Sequence, residues 1–294
     1  MSGALEGKAP AFLALIAASA FWSLGFPLGK LILAETDAAH LVLLRFAAAA
    51  IAAAPFALRN PATRALFRSP PVLLGGVLYG LAFLVQFEGL AHTTVALSAL
   101  LVGAMPALIA VSARLLGEPV SRASWAGVVV ASLGAAVIAG KPDGAGSALG
   151  VALALGALLI FLAWLHVMRR APPSPAPLAV TAVTVIIATA AVTPVAFAMH
   201  GPPNLHLSPA VWVAIVAQGL LSTLLATAAW QFGSARVGAA TAGVFINVEP
   251  LLGASLGVAL FGDRVTAALA IGGALIVAGS LAVVLGEGRR RAPA

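Results

Sequence analysis

Ionisable and aromatic side chains set inside long apolar runs are the residues of this 294-residue chain that could do chemistry. A charge inside lipid is expensive and is retained for pairing or for function. Glu249 stands immediately before Pro250 in one such run. The proline removes a helix hydrogen bond and frees a carbonyl near position 246. A protonated Glu249 can donate to such a carbonyl as a packing element, or the carboxyl can carry protons or touch a solute. Asn247 lies two residues earlier, a rotation of roughly 200° on a helix, so only one of the two can line a given cavity. If that one is Asn247, its amide suits a carboxylate or amino group. Arg45 and Glu88 fall about a turn from the same ends of two neighbouring antiparallel helices. There they can pair, as a static fastener or as an outer gate that breaks on opening, while Lys30 is expected to snorkel to the same interface.

Tyr79, Phe83 and Gln86 recur at i, i+4 and i+7, and Phe161, Trp164 and Met168 at i, i+3 and i+7. Each set shares one helical face. Such stripes either pack and anchor helices or line a pocket that takes amphipathic rings or organic cations through stacking and cation–π contact. Trp22 and Trp230 are further cavity candidates, although Trp also favours membrane interfaces. His92, His166, His200 and His206 lack a second ligand at metal-binding spacing, so no metal is expected. Gly25-Phe26-Pro27-Leu28-Gly29-Lys30-Leu31 has one residue too few between its glycines for a phosphate loop, and Leu31 where Ser or Thr is required. With no Ser–His arrangement, no carboxylate pair and no cysteine, the chain reads as a non-enzyme without a cofactor.

The elements that must position these residues follow from composition. Hydrophobic residues make up 62% of the chain, charged residues 9%, and mean hydropathy is +1.08. A soluble domain carries about 25% charged residues, so a water-soluble globule is excluded. The net charge of +7 sits in short loops and tails, and reads as a determinant of topology rather than a nucleic-acid surface. Continuous apolar runs, not alternating strands, exclude a barrel and predict an all-α integral membrane protein in a lipid bilayer. Ten spans are expected near 11–33, 38–58, 71–91, 94–115, 122–140, 147–168, 176–199, 209–232, 238–261 and 265–286. The first is expected to be a retained span rather than a cleaved signal, because its apolar run continues past Ala18-Ser19-Ala20.

Assigning loops alternately to two sides collects Lys8, Arg59, Arg64, Arg68, Arg114, Arg122, Arg169, Arg170, Arg236 and Arg289 to Arg291 on one side. Lys141, Arg264, Lys30 and Arg45 fall on the other. The positive-inside rule then puts both termini in the cytoplasm.

The chain also repeats itself. A shift of 144 residues lays Gly75 on Gly219, Gly89 on Gly233 and Pro106 on Pro250. After one insertion, a shift of 145 lays Glu118 on Asp263, Val120 on Val265, Gly127 on Gly272 and Gly134 on Gly279. Each half then holds five spans, an odd number, so the second enters the membrane from the opposite side. The expected organisation is a first five-helix repeat in residues 1–140, an extracytoplasmic linker in 141–147 and an inverted second repeat in 148–294. Inverted repeats suit alternating access around a cavity between them. Pro27, Pro55, Pro106, Pro194 and Pro250 fall inside spans, where they are expected hinges.

Asn247-Val248-Glu249-Pro250 with Leu260-Phe261-Gly262-Asp263-Arg264-Val265 resembles the second-repeat signature of EamA-type members of the drug/metabolite transporter superfamily. Pro106 with Leu115-Leu116-Gly117-Glu118-Pro119-Val120, and Trp22-Ser23-Leu24-Gly25-Phe26 in the first span, resemble the matching first-repeat motifs. Gly103-Ala104-Met105-Pro106 departs from the pattern, since it lacks the polar residue often found before that proline. The resemblance implies ten spans in two inverted repeats, cytoplasmic termini in a bacterial-type inner membrane, and export of small metabolites. Within the family it resembles the YddG-like aromatic amino-acid exporters. The expected partner is a small-molecule substrate bound among Trp22, Tyr79, Phe83, Gln86, Phe161, Trp164, Trp230 and Asn247, with a monomer preferred. The alternative is a proton-coupled multidrug or organic-cation antiporter using Glu249 as its coupling carboxylate. A nucleotide-sugar carrier would need basic residues in the cavity to meet the diphosphate.

Overall fold

Long Ala- and Leu-rich runs satisfy their backbone internally only as helices when the solvent is lipid. A computed structural model, describing residues 9–140, 146–172, 177–237, 242 and 245–291, is helical throughout apart from one isolated antiparallel bridge between Thr93 and Gly146. The helices are α1 (Ala9–Ser23), α2 (Gly25–Ile32), α3 (Ala38–Arg59), α4 (Pro61–Ala65), α5 (Pro70–Ala91), α6 (Val95–Val102) and α7 (Met105–Leu115). They continue as α8 (Arg122–Gly140), α9 (Ala148–Met168), α10 (Pro177–His200), α11 (Pro209–Ala217), α12 (Ala226–Ser234), α13 (Val248–Phe261) and α14 (Ala267–Arg291). Start signals are local. The side chains of Asp37, Thr94, Ser147 and Ser208 accept backbone N–H groups at the N-termini of α3, α6, α9 and α11, satisfying donors the helix leaves orphaned.

Among the described residues, eight helical segments are long and apolar enough to cross a membrane, and Arg122–Ile138 and Val248–Phe261 are shorter apolar helices. The chain is therefore a multi-pass membrane protein. Its two halves interleave: α1 packs on α12, α3 on α10, α5 on α9, α6 on α13 and α8 on α14. Small residues permit the closest approaches. A Cβ on Gly134 would meet the Gly272 carbonyl at 2.5 Å, and one on Gly127 would run into the Gly279 carbonyl, so α8 and α14 cross antiparallel with backbone on backbone.

Several expectations are corrected here. The fourth span is interrupted at Gly103-Ala104, and the ninth is no continuous helix through Glu249: α13 starts at Val248, after a turn at Asn247. The cause is the proline itself. Its missing N–H costs nothing in a helix's first turn, so Pro106 and Pro250 begin half-helices instead of kinking long ones. Pro27 likewise sits in the first turn of α2, after a break at Leu24, whereas α3 and α10 absorb Pro55 and Pro194 without interruption. The eighth span carries a π-helical stretch, Gln218–Leu225, between α11 and α12, which no periodicity in the apolar run announces. Lys8, Lys141 and most of the expected linker lie outside the described residues. Its last residues, Gly146 and Ser147, dock on the turn after α5, where the Ser147 N–H donates to the His92 carbonyl at 3.0 Å.

Candidate functional site

Helix α5 presents Tyr79, Phe83 and Phe87 one turn apart, and α9 brings Phe161 and Trp164 against them. The helices can close on each other because Gly75 and Gly89 face Met168 and the Gly150–Ala154 backbone. Ring centroids lie 4.8 Å apart for Tyr79–Phe83, 5.3 Å for Tyr79–Trp164, 5.1 Å for Phe83–Phe161 and 6.1 Å for Phe83–Phe87. Phe46 of α3 closes the third side, 5.4 Å from Phe83. Each such pair contributes about 0.5–1.5 kcal/mol beyond area burial. The result is a column of rings between helices of the two halves. Phe83, Phe161 and Trp164 are half-buried, and the Trp164 indole N–H is buried with no hydrogen-bond partner among the described residues.

Polar groups flank the column. Arg45 is 2% exposed, donates through Nε to Thr223 Oγ1 at 2.9 Å, and lies 4.3 Å from the Phe83 ring centre. Thr223 in turn donates to the Gln218 carbonyl at 3.2 Å, inside the π-helical stretch. That wider turn is what brings these side chains to one place. The Tyr79 phenol shares a hydrogen bond with Thr227. The expected Arg45–Glu88 ion pair does not form. Arg45 turns inward to Thr223, while Glu88 meets His92 at 3.3 Å on the exposed side of α5, because opposite faces of the helix pair carry them.

Lys30 does not snorkel. Its ammonium donates to the carbonyls of Leu90 at 2.9 Å, in the last turn of α5, and Thr93 at 2.7 Å, in the turn that follows. Asp263 accepts the Ala96 N–H at 2.8 Å in the first turn of α6 and attracts Lys30. At the same end Glu35 accepts the Ser208 N–H at 2.7 Å, and hydrogen bonds from Ser208 hold its carboxyl below the usual range. His40 meets Asp37 at 2.7 Å and the Gly201 carbonyl at 3.0 Å. Burial alone would raise the Asp37 carboxyl, but hydrogen bonds from His40 and the nearby His40 and His200 rings outweigh it and leave the group below its usual value.

The remaining expected residues distribute elsewhere. Trp22 and Trp230 form their own pair, 5.4 Å apart, between α1 and α12. Gln86 is half-buried and makes no hydrogen bond to the column. Asn247 is buried at the N-cap position of α13, and Glu249 occupies that helix's first turn. Gly103 packs near Pro250, so the two helix interruptions lie side by side. Neither of two cavities among the described residues is lined by any of the eight expected residues. A cavity of about 520 Å³ is lined by Phe21, Phe56, Leu178, Leu225 and Phe232 among others, and one of about 500 Å³ by Ser112, His166, Arg169 and Arg170 with two leucines. Sequence reasoning missed Phe46, Thr223 and Gln218 as neighbours of the column. Gln218, an amide within an apolar run, was the available signal.

The model of the EamA-like transporter family matches twice, over residues 9–140 and 148–285. No curated protein matches the chain. A solved structure described as "Crystal structure of protein" superposes with a TM-score of 0.66 at 24% identity, covering 97% of this chain and all of that one, a likeness of fold alone.

Proposed function

The chain belongs to the EamA-like transporter family, and from that premise we propose a secondary transporter or facilitator that exports small amphipathic metabolites, aromatic amino acids foremost. The family consists of membrane transporters, not enzymes. The observation that carries the substrate reading is the column of Tyr79, Phe83, Phe161 and Trp164, built by helices from both matched segments around an unpartnered indole N–H. Stacking faces with few polar groups suit an amphipathic ring.

The transport cycle is alternating access between two inverted five-helix repeats, residues 1–140 and 148–294. Support comes from the double family match and from the antiparallel crossing of α8 with α14, where Gly127 meets Gly279 and Gly134 meets Gly272, each glycine meeting the 145-shifted counterpart of the other. The end that holds Lys30, Asp263 and the turn after α5 faces outside, and both termini face the cytoplasm of a bacterial-type inner membrane. Closure of the outer end rests on the contacts of Lys30 and Asp263 rather than on an Arg45–Glu88 pair. The half-helices starting near Pro106 and Pro250 are the interfaces on which the halves rock.

Counterflow in proteoliposomes preloaded with unlabelled solute tests the reading. Labelled phenylalanine and tryptophan are expected to accumulate transiently without any imposed pH gradient. Accumulation only of lipophilic cations, and only with a proton gradient, would replace it with a coupled antiporter.

A further inference from the structure

We propose that Arg45 is the residue that binds the carboxylate of the carried solute, so that this transporter accepts apolar carboxylates, zwitterionic amino acids included, and rejects lipophilic cations. The inference rests on the transport reading above and narrows its substrate class.

Arg45 lies seven residues into α3, about 10 Å from that helix's end at 1.5 Å per residue. Its guanidinium carries five N–H groups. One, on Nε, is used by Thr223, and the four on Nη1 and Nη2 have no hydrogen-bond partner among the described residues. No carboxylate among the described residues comes within ion-pair distance of it. The rings of Phe83, Phe87 and Phe46, at 4.3, 5.2 and 5.8 Å, face the cation and ease its burial without accepting its protons. A side chain kept only for packing would cost less as Met or Leu, since a buried charge without a carboxylate to pair with is destabilising. What a guanidinium alone offers is a planar fork matched to a carboxylate.

A second orphan stands beside it. Gln218, fully buried, donates its amide N–H to the Gly25 carbonyl at 2.6 Å, and its Oε1 accepts nothing among the described residues. The next residue, Gly219, packs on the Arg45 carbonyl, and Gly29 touches both Phe87 and the Gln218 amide, so the two groups share one neighbourhood. An unused donor fork, an unused acceptor and the ring column starting at Phe83 match a carboxylate, an ammonium and an apolar side chain. The same cation repels a positively charged solute at the column.

The test uses the full chain in proteoliposomes and two matched solute pairs, phenylalanine with phenylalaninamide and leucine with leucinamide. Wild-type protein is expected to carry each amino acid roughly 10- to 100-fold faster than its amide, the worth of hydrogen bonds to a charged group. In Arg45→Gln that ratio is expected to fall toward one, and in Arg45→Lys to be partly kept. A purely structural role for Arg45 would change rates without changing the ratio. Equal wild-type rates for acid and amide, or an undiminished ratio in Arg45→Gln, would overturn the inference, and the wild-type ratios decide it if the variants do not fold. Carboxylate preference for leucine without any phenylalanine transport would uphold Arg45 and reject the aromatic reading. Transport of neither acid would reject both.

Discussion

Removal of the Asp263 carboxylate should loosen the end of the molecule that Lys30 helps to hold. Asp263 accepts the Ala96 N–H at 2.8 Å in the first turn of α6 and attracts the Lys30 ammonium. A lost helix cap costs about 0.5–2 kcal/mol, and a charge near a helix N-terminus contributes about 0.3–1 kcal/mol. Asp263→Ala loses both, roughly 1–2 kcal/mol after allowing for solvent, or a shift of about 5- to 30-fold toward the open arrangement. Asp263→Asn keeps an acceptor and loses only the charge, so its shift is about 2- to 5-fold. The absence of cysteine makes the assay clean. Ser98 is 3% exposed and bonded to Thr93 Oγ1 at 2.6 Å, so a Ser98→Cys reporter is shielded while that end is closed. Its maleimide labelling rate in detergent should rise in the order parent, Asp263→Asn, Asp263→Ala. Equal rates in all three, with each protein monodisperse, would refute the idea that Asp263 holds this end shut.

Other perturbations have defined outcomes. Tyr79→Ala and Trp164→Ala each remove ring contacts of about 0.5–1.5 kcal/mol, so counterflow of aromatic solutes should fall roughly tenfold more than that of small aliphatic ones. Matching losses for both classes would count against stacking. Glu249→Gln should leave counterflow without a pH gradient intact, and abolition of all transport in a folded protein would identify proton coupling. Gly134→Leu forces a side chain into the Gly272 backbone and should destabilise by about 1–3 kcal/mol or more, seen as a lower melting temperature. Because the Asp37 carboxyl titrates below its unfolded value, its stabilising contribution is present above about pH 4 and is lost as pH falls further. Asp37→Asn should flatten melting temperature against pH across that range, whereas an unchanged profile would show that the His40 contact carries no linkage.

The helical class, most span positions and the duplication were legible in the sequence because lipid leaves the backbone one local solution and glycine matches survive in register. Gly127 and Gly134 with their counterparts were visible as repeats, and their close packing follows from having no side chain. The prolines were visible too, but a proline marks either a kink or a helix start, and only the turn before it decides which. Arg45 could not be assigned its partner. Thr223 is 178 positions away, and the choice between Thr223 and Glu88 depends on which face of α3 turns inward, which spacing along the chain does not fix. The π-helical turn at Gln218–Leu225 left no compositional mark, so the polar flank of the ring column was hidden while Tyr79, Phe83, Phe161 and Trp164 were not.

The crossing of α8 with α14 carries a local two-fold symmetry. Gly127 meets Gly279 and Gly134 meets Gly272, and adding 145 to either first-half position turns one contact into the other. These are the two equal contacts that an isologous dimer of a single half would make with itself. In such a dimer one substitution would strike both contacts at once, whereas in the single chain each can be altered singly, so the crossing can become asymmetric one contact at a time. The same logic makes the stretch between residues 140 and 148 the natural place to sever the chain, with each piece retaining a surface shaped to seek the other.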